Sequence, residues 1–202
     1  MRKLLAINVL GICVLTACNA GSTAGGESNL TTCPTTAPMF SAELGTQLIN
    51  NWGASVTKYS SESDVYVSAA YFTAANYLSD GVLLPTVSAT TRVGSQAIYN
   101  YFTDFLALQP TMTNNPESPE SGGPYETLAG CGYGVTSGYY NFVFGSDPTV
   151  TNARYTFQFM YIPSQQSVSI TVESGPSVGQ VLEITQPGGW YINLQNSAKL
   201  PS

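Results

Sequence analysis

The side chains that most often carry catalysis are scarce in this sequence of 202 residues. It contains no histidine, which removes the usual general base at neutral pH, the commonest metal ligand and the His form of a serine triad. No group of carboxylates has metal-ligand spacing, and the glycines are scattered in turns rather than gathered in a phosphate-binding loop. The groups that remain for binding or acid–base chemistry are Asp80, Arg92, Arg154 and the tyrosines.

The two arginines are the most informative of these groups. Arg154 precedes an uncharged, strand-like run over residues 155–161. An arginine in such a strand either faces solvent at a cross-strand position or points into a polar cavity, where it needs an anion or an acid as partner. For Arg92 the alternative is a turn contact or an ion pair, and for Asp80 it is a turn cap before a strand.

The N-terminus has the pattern of a bacterial lipoprotein signal over residues 1–17. Two basic residues precede a mostly apolar run, residues 4–15, which is too short for a membrane span. The run ends in Leu-Thr-Ala-Cys18, which resembles a lipobox; the alternative is an ordinary signal peptide with a chance cysteine. We therefore expect lipid on Cys18 and a place in the cell envelope. By analogy with Gram-negative lipoproteins, Asn19 indicates the outer membrane.

The charge that remains after removal of this signal is strongly negative. Twelve acidic residues face four cations, a net charge of −8; the cations are Lys58, Arg92, Arg154 and Lys199. Such a surface argues against nucleic acid or anionic lipid as a partner, so membrane contact is expected only through the anchor. Residues 18–32 are small and polar and predict a flexible tether, which leaves residues 33–202 as the folded domain.

Two cysteines remain once Cys13 is assigned to the signal and Cys18 to the lipid. Cys33 and Cys131 would then lie in an oxidising compartment, and we predict a disulfide between them. The alternative is two free buried thiols. A bond between these residues would close a loop of about 98 residues.

Helices are predicted in the first half of the domain. Apolar residues recur every four positions over residues 40–58, Asp64 is a suitable N-cap for a short helix over residues 65–76, and Ser95 is expected to cap a third helix. Residues 82–87 predict a strand, at an edge or bulged because Pro85 has no N–H to donate. Residues 109–125 predict a long loop, either a disordered insertion or a lid.

Strands are predicted in the second half, over residues 126–136, 138–144, 154–163, 167–173, 179–185 and 190–195. Helices followed by antiparallel strands indicate an α+β fold. We expect a curved antiparallel sheet wrapped around three helices, cone-like and with a cavity at the open end.

The order of motifs along this domain carries a resemblance. The pattern Asp-x-Val-Leu-Leu-Pro-Thr, then an arginine, then Tyr-Phe-x-x-Phe-Leu, is met by residues 80–86, Arg92 and residues 101–106. Gly130-Cys131, Gly138-x-Tyr140, residues 153–157 and Trp190-x-Ile192 continue it. The order resembles the nuclear transport factor 2-like superfamily, closest to bacterial relatives of the calcium/calmodulin-dependent protein kinase II association domain. The resemblance covers residues 33–201 and implies a cystatin-like α+β cone and a homodimer, but it does not imply kinase activity.

Two departures from that branch bear on the site. The relatives usually end in Trp-x-Ile-x-x-His-His-Ser-Ser, whereas Gln195-Asn196 stand here where the histidines would be. An insertion over residues 164–189 is expected to extend the last hairpin. The resemblance therefore implies Arg92, Arg154, Gln195 and Asn196 as ligand-binding residues around one cavity, with the arginines meeting a carboxylate ligand or Asp80.

The function expected from these observations is that of a lipid-anchored, non-catalytic binding or oligomerisation module with a cone-shaped pocket. A small carboxylate-bearing molecule or a protein partner would be its ligand, with no cofactor and no metal. The alternative, from steroid isomerase-like and polyketide cyclase-like relatives, is a small enzyme with Asp80 as base and Tyr155 as hydrogen-bond donor.

Overall fold

The computed structural model describes Cys33 and residues 37–86, 88–113 and 124–200. All of them lie in the second of the two units into which the chain divides, Cys33–Ser202. The predicted lipoprotein signal, Cys18 and the tether belong to the first unit, Met1–Thr32, outside the described residues. No helix among the described residues is long and apolar enough to cross a membrane.

Three helices form where the apolar periodicity and the caps predict them. Helix α1 is Ala42–Ser60, and its N-cap Ser41 accepts a hydrogen bond from the backbone N–H of Leu44. Helix α2 is Val65–Asn76, and Asp64 accepts from two backbone N–H groups of its first turn. Helix α3 is Ser95–Ala107.

The predicted capping role of Ser95 is wrong. Gly94 occupies the N-cap position of α3 with a positive φ of 81°, a conformation that favours glycine. The Ser95 hydroxyl instead donates to the backbone carbonyl of Ser79 at 3.3 Å, which ties the start of α3 to the neighbouring strand.

The main sheet is mixed, curved and open, in the strand order β2-β1-β9-β6-β5-β3, with β4 also paired to β5. Its strands are β1 Tyr77–Leu84, β2 Arg92–Val93, β3 Pro110–Thr113, β4 Pro124–Ala129, β5 Tyr133–Phe144, β6 Asp147–Ile162 and β9 Gly189–Lys199. The predicted α+β fold with a curved sheet and three helices is confirmed. The sheet is not wholly antiparallel, because β1 and β9 pair in parallel.

Strand β5 corrects two predicted boundaries. It runs unbroken through Ser137, where the sequence pattern separates the predicted strands over residues 126–136 and 138–144, because Ser137 and Gly138 both pair with β6. The predicted strand over residues 126–136 is instead divided between β4 and β5. The predicted loop over residues 109–125 begins as strand β3, and its residues 114–123 lie outside the described part of the chain.

The insertion after β6 forms a separate hairpin and does not extend the last one as predicted. Strands β7 Gln166–Thr171 and β8 Val181–Gln186 pair only with each other in the described structure and pack on α3 and α2. The Gln186 amide donates to the backbone carbonyl of Tyr77 at 2.7 Å, and Gln96 accepts from the backbone N–H of Thr171 at 2.9 Å. The helices therefore lie between this hairpin and the main sheet.

Alternation along β6 defines the two faces of the main sheet. Ala153, Tyr155, Phe157 and Phe159 are buried against the helices, and we call their side of the sheet the inner face. The alternate residues project to the outer face, where Arg154 and Met160 are exposed.

Candidate functional site

A chain of hydrogen-bonded polar side chains crosses the inner face. The indole Nε1 of Trp52 donates to the Tyr77 hydroxyl at 3.1 Å, and the Tyr77 hydroxyl donates to Oε1 of Gln195. Nε2 of Gln195 donates to the Ser197 hydroxyl at 3.1 Å, and that hydroxyl is hydrogen-bonded to the hydroxyl of Tyr140. Since these five side chains are all buried, we call them the inner polar chain.

The tyrosines of the inner polar chain are held in the neutral form. The pKa of Tyr77 lies well above its ordinary value of 10.0, mainly because the side chain is buried. Burial also raises the pKa of Tyr140, although its hydrogen bonds to Ser197 and Thr86 act in the opposite direction. At neutral pH both side chains therefore carry a hydroxyl hydrogen that can be donated.

This protonation predicts a loss of stability in alkali. A group whose pKa is raised by folding stabilises the native state below its unfolded pKa, and that stabilisation disappears as pH rises through the folded pKa. We therefore expect the urea midpoint to fall once pH exceeds about 10, the unfolded tyrosine value. Urea titrations from about pH 8 to about pH 11 check this, with tyrosinate absorbance as the second signal.

The buried tyrosines should ionise at a higher pH than a free tyrosine amide, and over the same pH range in which the circular dichroism signal is lost. If tyrosinate formed as in the free amide while the dichroism stayed native, the sequestration of these hydroxyls would be contradicted.

Three further buried donors lack a hydrogen-bond partner among the described residues. They are the hydroxyl of Tyr155, the hydroxyl of Thr136 and Nε of Arg92. The Tyr155 ring stacks on Tyr140, with centroids 5.2 Å apart and planes inclined by 14°. Burial and then Tyr140 raise the pKa of Tyr155, while Thr136 lowers it. The two hydroxyls are therefore neighbours, although their geometry makes no satisfactory hydrogen bond between them.

Arg92 reaches the inner face from β2. Its partner across the strand pair is the fully buried Leu83, and directly opposed residues project to the same side of a sheet. Burial and Tyr140 raise the pKa of Tyr101 on α3, and the positive charge of Arg92 opposes this rise. The guanidinium is therefore close to Tyr101, which also interacts electrostatically with Tyr140.

The outer face carries a pocket of about 690 Å³ on strands β5, β6 and β9. Its lining residues are Ser137, Gly138, Tyr139, Arg154, Tyr155, Thr156, Asn196 and Ala198. Arg154 is exposed there, between its cross-strand partners Tyr139 and Ala198. Tyr155 lines the pocket with its backbone, since its side chain is buried on the inner face.

The predicted ligand-binding residues are divided between these two places. Arg92 and Gln195 lie on the inner face, whereas Arg154 and Asn196 line the outer pocket. Gln195 and Asn196 are consecutive in β9 and so must project to opposite sides. The expectation that Arg92, Arg154, Asp80 and Gln195 surround one hollow is therefore wrong, and their binding roles stay predictions.

The proposed catalytic pair is likewise separated by environment, because Asp80 is exposed on β1 whereas Tyr155 is only 2% exposed. The sequence pattern missed Tyr140, Ser197, Thr136 and Tyr101 as inner polar groups. Ser197 could have been found, since it lies two positions after Gln195 and so shares its face. Among the described residues no group of three or more His, Cys, Asp or Glu could hold a metal ion.

Comparison with known proteins concerns the fold. Neither the protein-family models nor the curated proteins give a match. Among solved structures, a protein from Xanthomonas campestris named as a calcium/calmodulin-dependent protein kinase II association domain is 22% identical, with a TM-score of 0.48 over 77% of this chain and 84% of its own. A nuclear transport factor 2-like protein from Salmonella enterica is 14% identical, with a TM-score of 0.49 over 78% and 89%.

A third similar structure carries an enzyme name. It is an aromatic ring hydroxylase by name, from Novosphingobium aromaticivorans, and is 15% identical with a TM-score of 0.46 over 85% of this chain and 94% of its own. The names of these structures thus include an association domain, a nuclear transport factor 2-like protein and an enzyme, and at these identities the likeness concerns the fold alone.

Proposed function

We propose that the domain is a non-catalytic binding module that holds a small carboxylate on its inner face. The supporting observation is the buried Nε of Arg92, which lacks a hydrogen-bond partner in the described structure. Buried polar groups are normally hydrogen-bonded, and an ionised carboxylate offers only acceptors. A carboxylate on the Arg92 guanidinium would satisfy this donor and balance the arginine charge in one step.

The same environment argues against acid–base catalysis on the inner face. The raised pKa of Tyr155 keeps its hydroxyl protonated at neutral pH, which suits the donor role of the enzyme alternative but leaves the base to another residue. The enzyme alternative needs Asp80 as that base, and Asp80 is exposed. With no histidine in the chain, we favour binding over an isomerase- or cyclase-like reaction.

Acetate is the probe that tests this proposal, with acetamide as its neutral isostere. In a nitrogen–proton correlation spectrum of the full chain, acetate should shift the Nε–H signal of Arg92, because a charge-assisted hydrogen bond forms there. Arg92→Gln should weaken acetate binding by about ten- to a hundredfold, since a hydrogen bond to a charged group contributes about 1.5–3 kcal/mol.

Lys199→Gln is the matched control, because it removes one positive charge from the exposed end of β9. Equal binding of acetate and acetamide would contradict the proposal, as would unchanged acetate affinity in Arg92→Gln.

The lipid anchor and the homodimer are proposed as part of the same function. Palmitate labelling of the wild type but not of Cys18→Ser would support lipid anchoring through Cys18, which we propose is in the outer membrane, and labelling of both would contradict it. For the dimer, the outer face offers exposed apolar side chains at Leu128, Tyr133 and Met160. Light scattering that finds only monomer at high concentration would exclude dimerisation through this face.

A further inference from the structure

The outer pocket is built from two rows of residues on three adjacent strands. Across β5, β6 and β9, one row is Tyr139, Arg154 and Ala198, and the other is Ser137, Thr156 and Asn196. Members of a row are direct cross-strand partners, and the two rows are two residues apart along each strand. All six therefore project to the outer face, and none belongs to the inner polar chain.

The hollow itself follows from the sizes of these side chains. Ala198, Ser137 and Thr156 are small and leave a shallow floor, while the longer side chains of Arg154, Tyr139 and Asn196 stand beside it. The volume of about 690 Å³ is in the range of small-molecule sites. A hydrophobic sheet face would bury apolar area against another protein, whereas this end of the face presents hydroxyl, amide and guanidinium groups.

Charge identifies one end of the ligand. The side chain of Arg154 forms no ion pair or hydrogen bond within the described part of the chain, and no carboxylate lines the pocket. The chain has 12 acidic residues against six basic ones, so a lysine or arginine without an acidic neighbour is notable. The planar guanidinium offers paired N–H donors that match a carboxylate.

The remaining lining identifies the rest of the ligand. The hydroxyls of Ser137 and Thr156 each donate and accept, and the Asn196 amide does both as well. Groups of this kind pair with hydroxyls, which also donate and accept. A carboxylate with a hydroxylated carbon skeleton would use the arginine and this lining together.

We propose that the outer pocket is a second ligand site, which takes a sugar acid or another polyhydroxylated carboxylate, with the carboxylate on Arg154 and the hydroxyls on Thr156 and Asn196. This site is separate from the inner-face site around Arg92, and neither depends on the other.

The test is calorimetric titration of the full chain carrying Arg92→Gln, so that the inner-face site does not contribute, with glucuronate as ligand and with glucose and acetate as comparators. Glucose lacks the carboxylate and acetate lacks the hydroxyls, so both should bind this site at least about tenfold more weakly than glucuronate. Arg154→Gln should weaken glucuronate binding by about ten- to a hundredfold, and Arg154→Lys by less, because lysine keeps the charge but not the paired donors.

Two controls separate this site from general electrostatics and from the inner face. Lys199→Gln removes a neighbouring charge of β9 outside the lining and should leave glucuronate affinity unchanged, while the Arg92→Gln background removes the inner-face arginine from the measurement. Equal weakening by Lys199→Gln and Arg154→Gln would overturn the proposal. So would equal affinity for glucose, absence of saturable glucuronate binding, or a stable dimer that buries Arg154.

Discussion

Replacement of Trp52 by alanine is expected to lower the free energy of unfolding by about 3–5 kcal/mol, the usual range for loss of a large buried aromatic side chain. Trp52 is 2% exposed. Its ring stacks on Tyr140 at 5.7 Å and meets the edge of Phe157 at 5.2 Å. Alanine would leave a cavity where α1 meets the sheet and would also remove the donor to the Tyr77 hydroxyl.

Urea unfolding followed by circular dichroism measures this change, and Trp190, the other tryptophan, supplies a fluorescence signal that survives in the variant. Trp52→Phe is the matched control, because it keeps an aromatic ring and removes only the indole N–H and part of the volume. It should cost clearly less than Trp52→Ala. A loss below about 1 kcal/mol for Trp52→Ala would show that this ring is not central to the core.

Helix positions could be predicted because their signals are local. The carboxylate of Asp64 and the apolar residues that follow it lie within a few positions of one another, and α2 has the predicted bounds. The parallel pairing of β1 with β9 had no such signal. This pairing brings together residues that are far apart in sequence, such as Leu83 and Gln195, so only the complete fold specifies it.

One error in the strands arose at a glycine. The pair Ser137-Gly138 indicates a break between two strands from sequence, yet Gly138 lies inside β5 opposite Tyr155. Gly134 shows one reason for a glycine in such a strand, since a Cβ there would lie 2.0 Å from the Phe40 ring. Close approach of an aromatic ring to a backbone is a tertiary property that a local pattern does not carry.

The candidate site could be predicted in its residues but not in its grouping. Arg92 and Arg154 were identified because cations are rare in the chain. Their separation onto two faces follows from the pairing of Arg92 with Leu83 and of Arg154 with Tyr139, and these registers are set by long-range contacts. The single ligand site predicted from the sequence is therefore replaced by two proposed sites, one around Arg92 and one around Arg154, and each is tested by its own variant.

Loss of the disulfide is expected to lower the free energy of unfolding by about 4–5 kcal/mol in the chain-entropy model. The predicted bond between Cys33 and Cys131 is present, with Cα atoms 5.3 Å apart and a sequence separation of 98. It ties the segment before α1 to the connection between β4 and β5. The same two segments are joined by hydrogen bonds from the N–H of Phe40 to Gly130 and from the N–H of Gly132 to Pro38, each 2.9 Å.

Those two backbone hydrogen bonds mean that the variant Cys33→Ala/Cys131→Ala should still fold, because the joined segments keep native contacts without the bond. The loss should therefore arise mainly in the unfolded chain, which gains the freedom of an open loop. Urea midpoints with and without reductant make the comparison sharp: reductant should lower the wild-type midpoint to that of the double variant and leave the double variant unchanged. A wild-type midpoint that is insensitive to reductant while both thiols become titratable would show that the bond contributes little to stability.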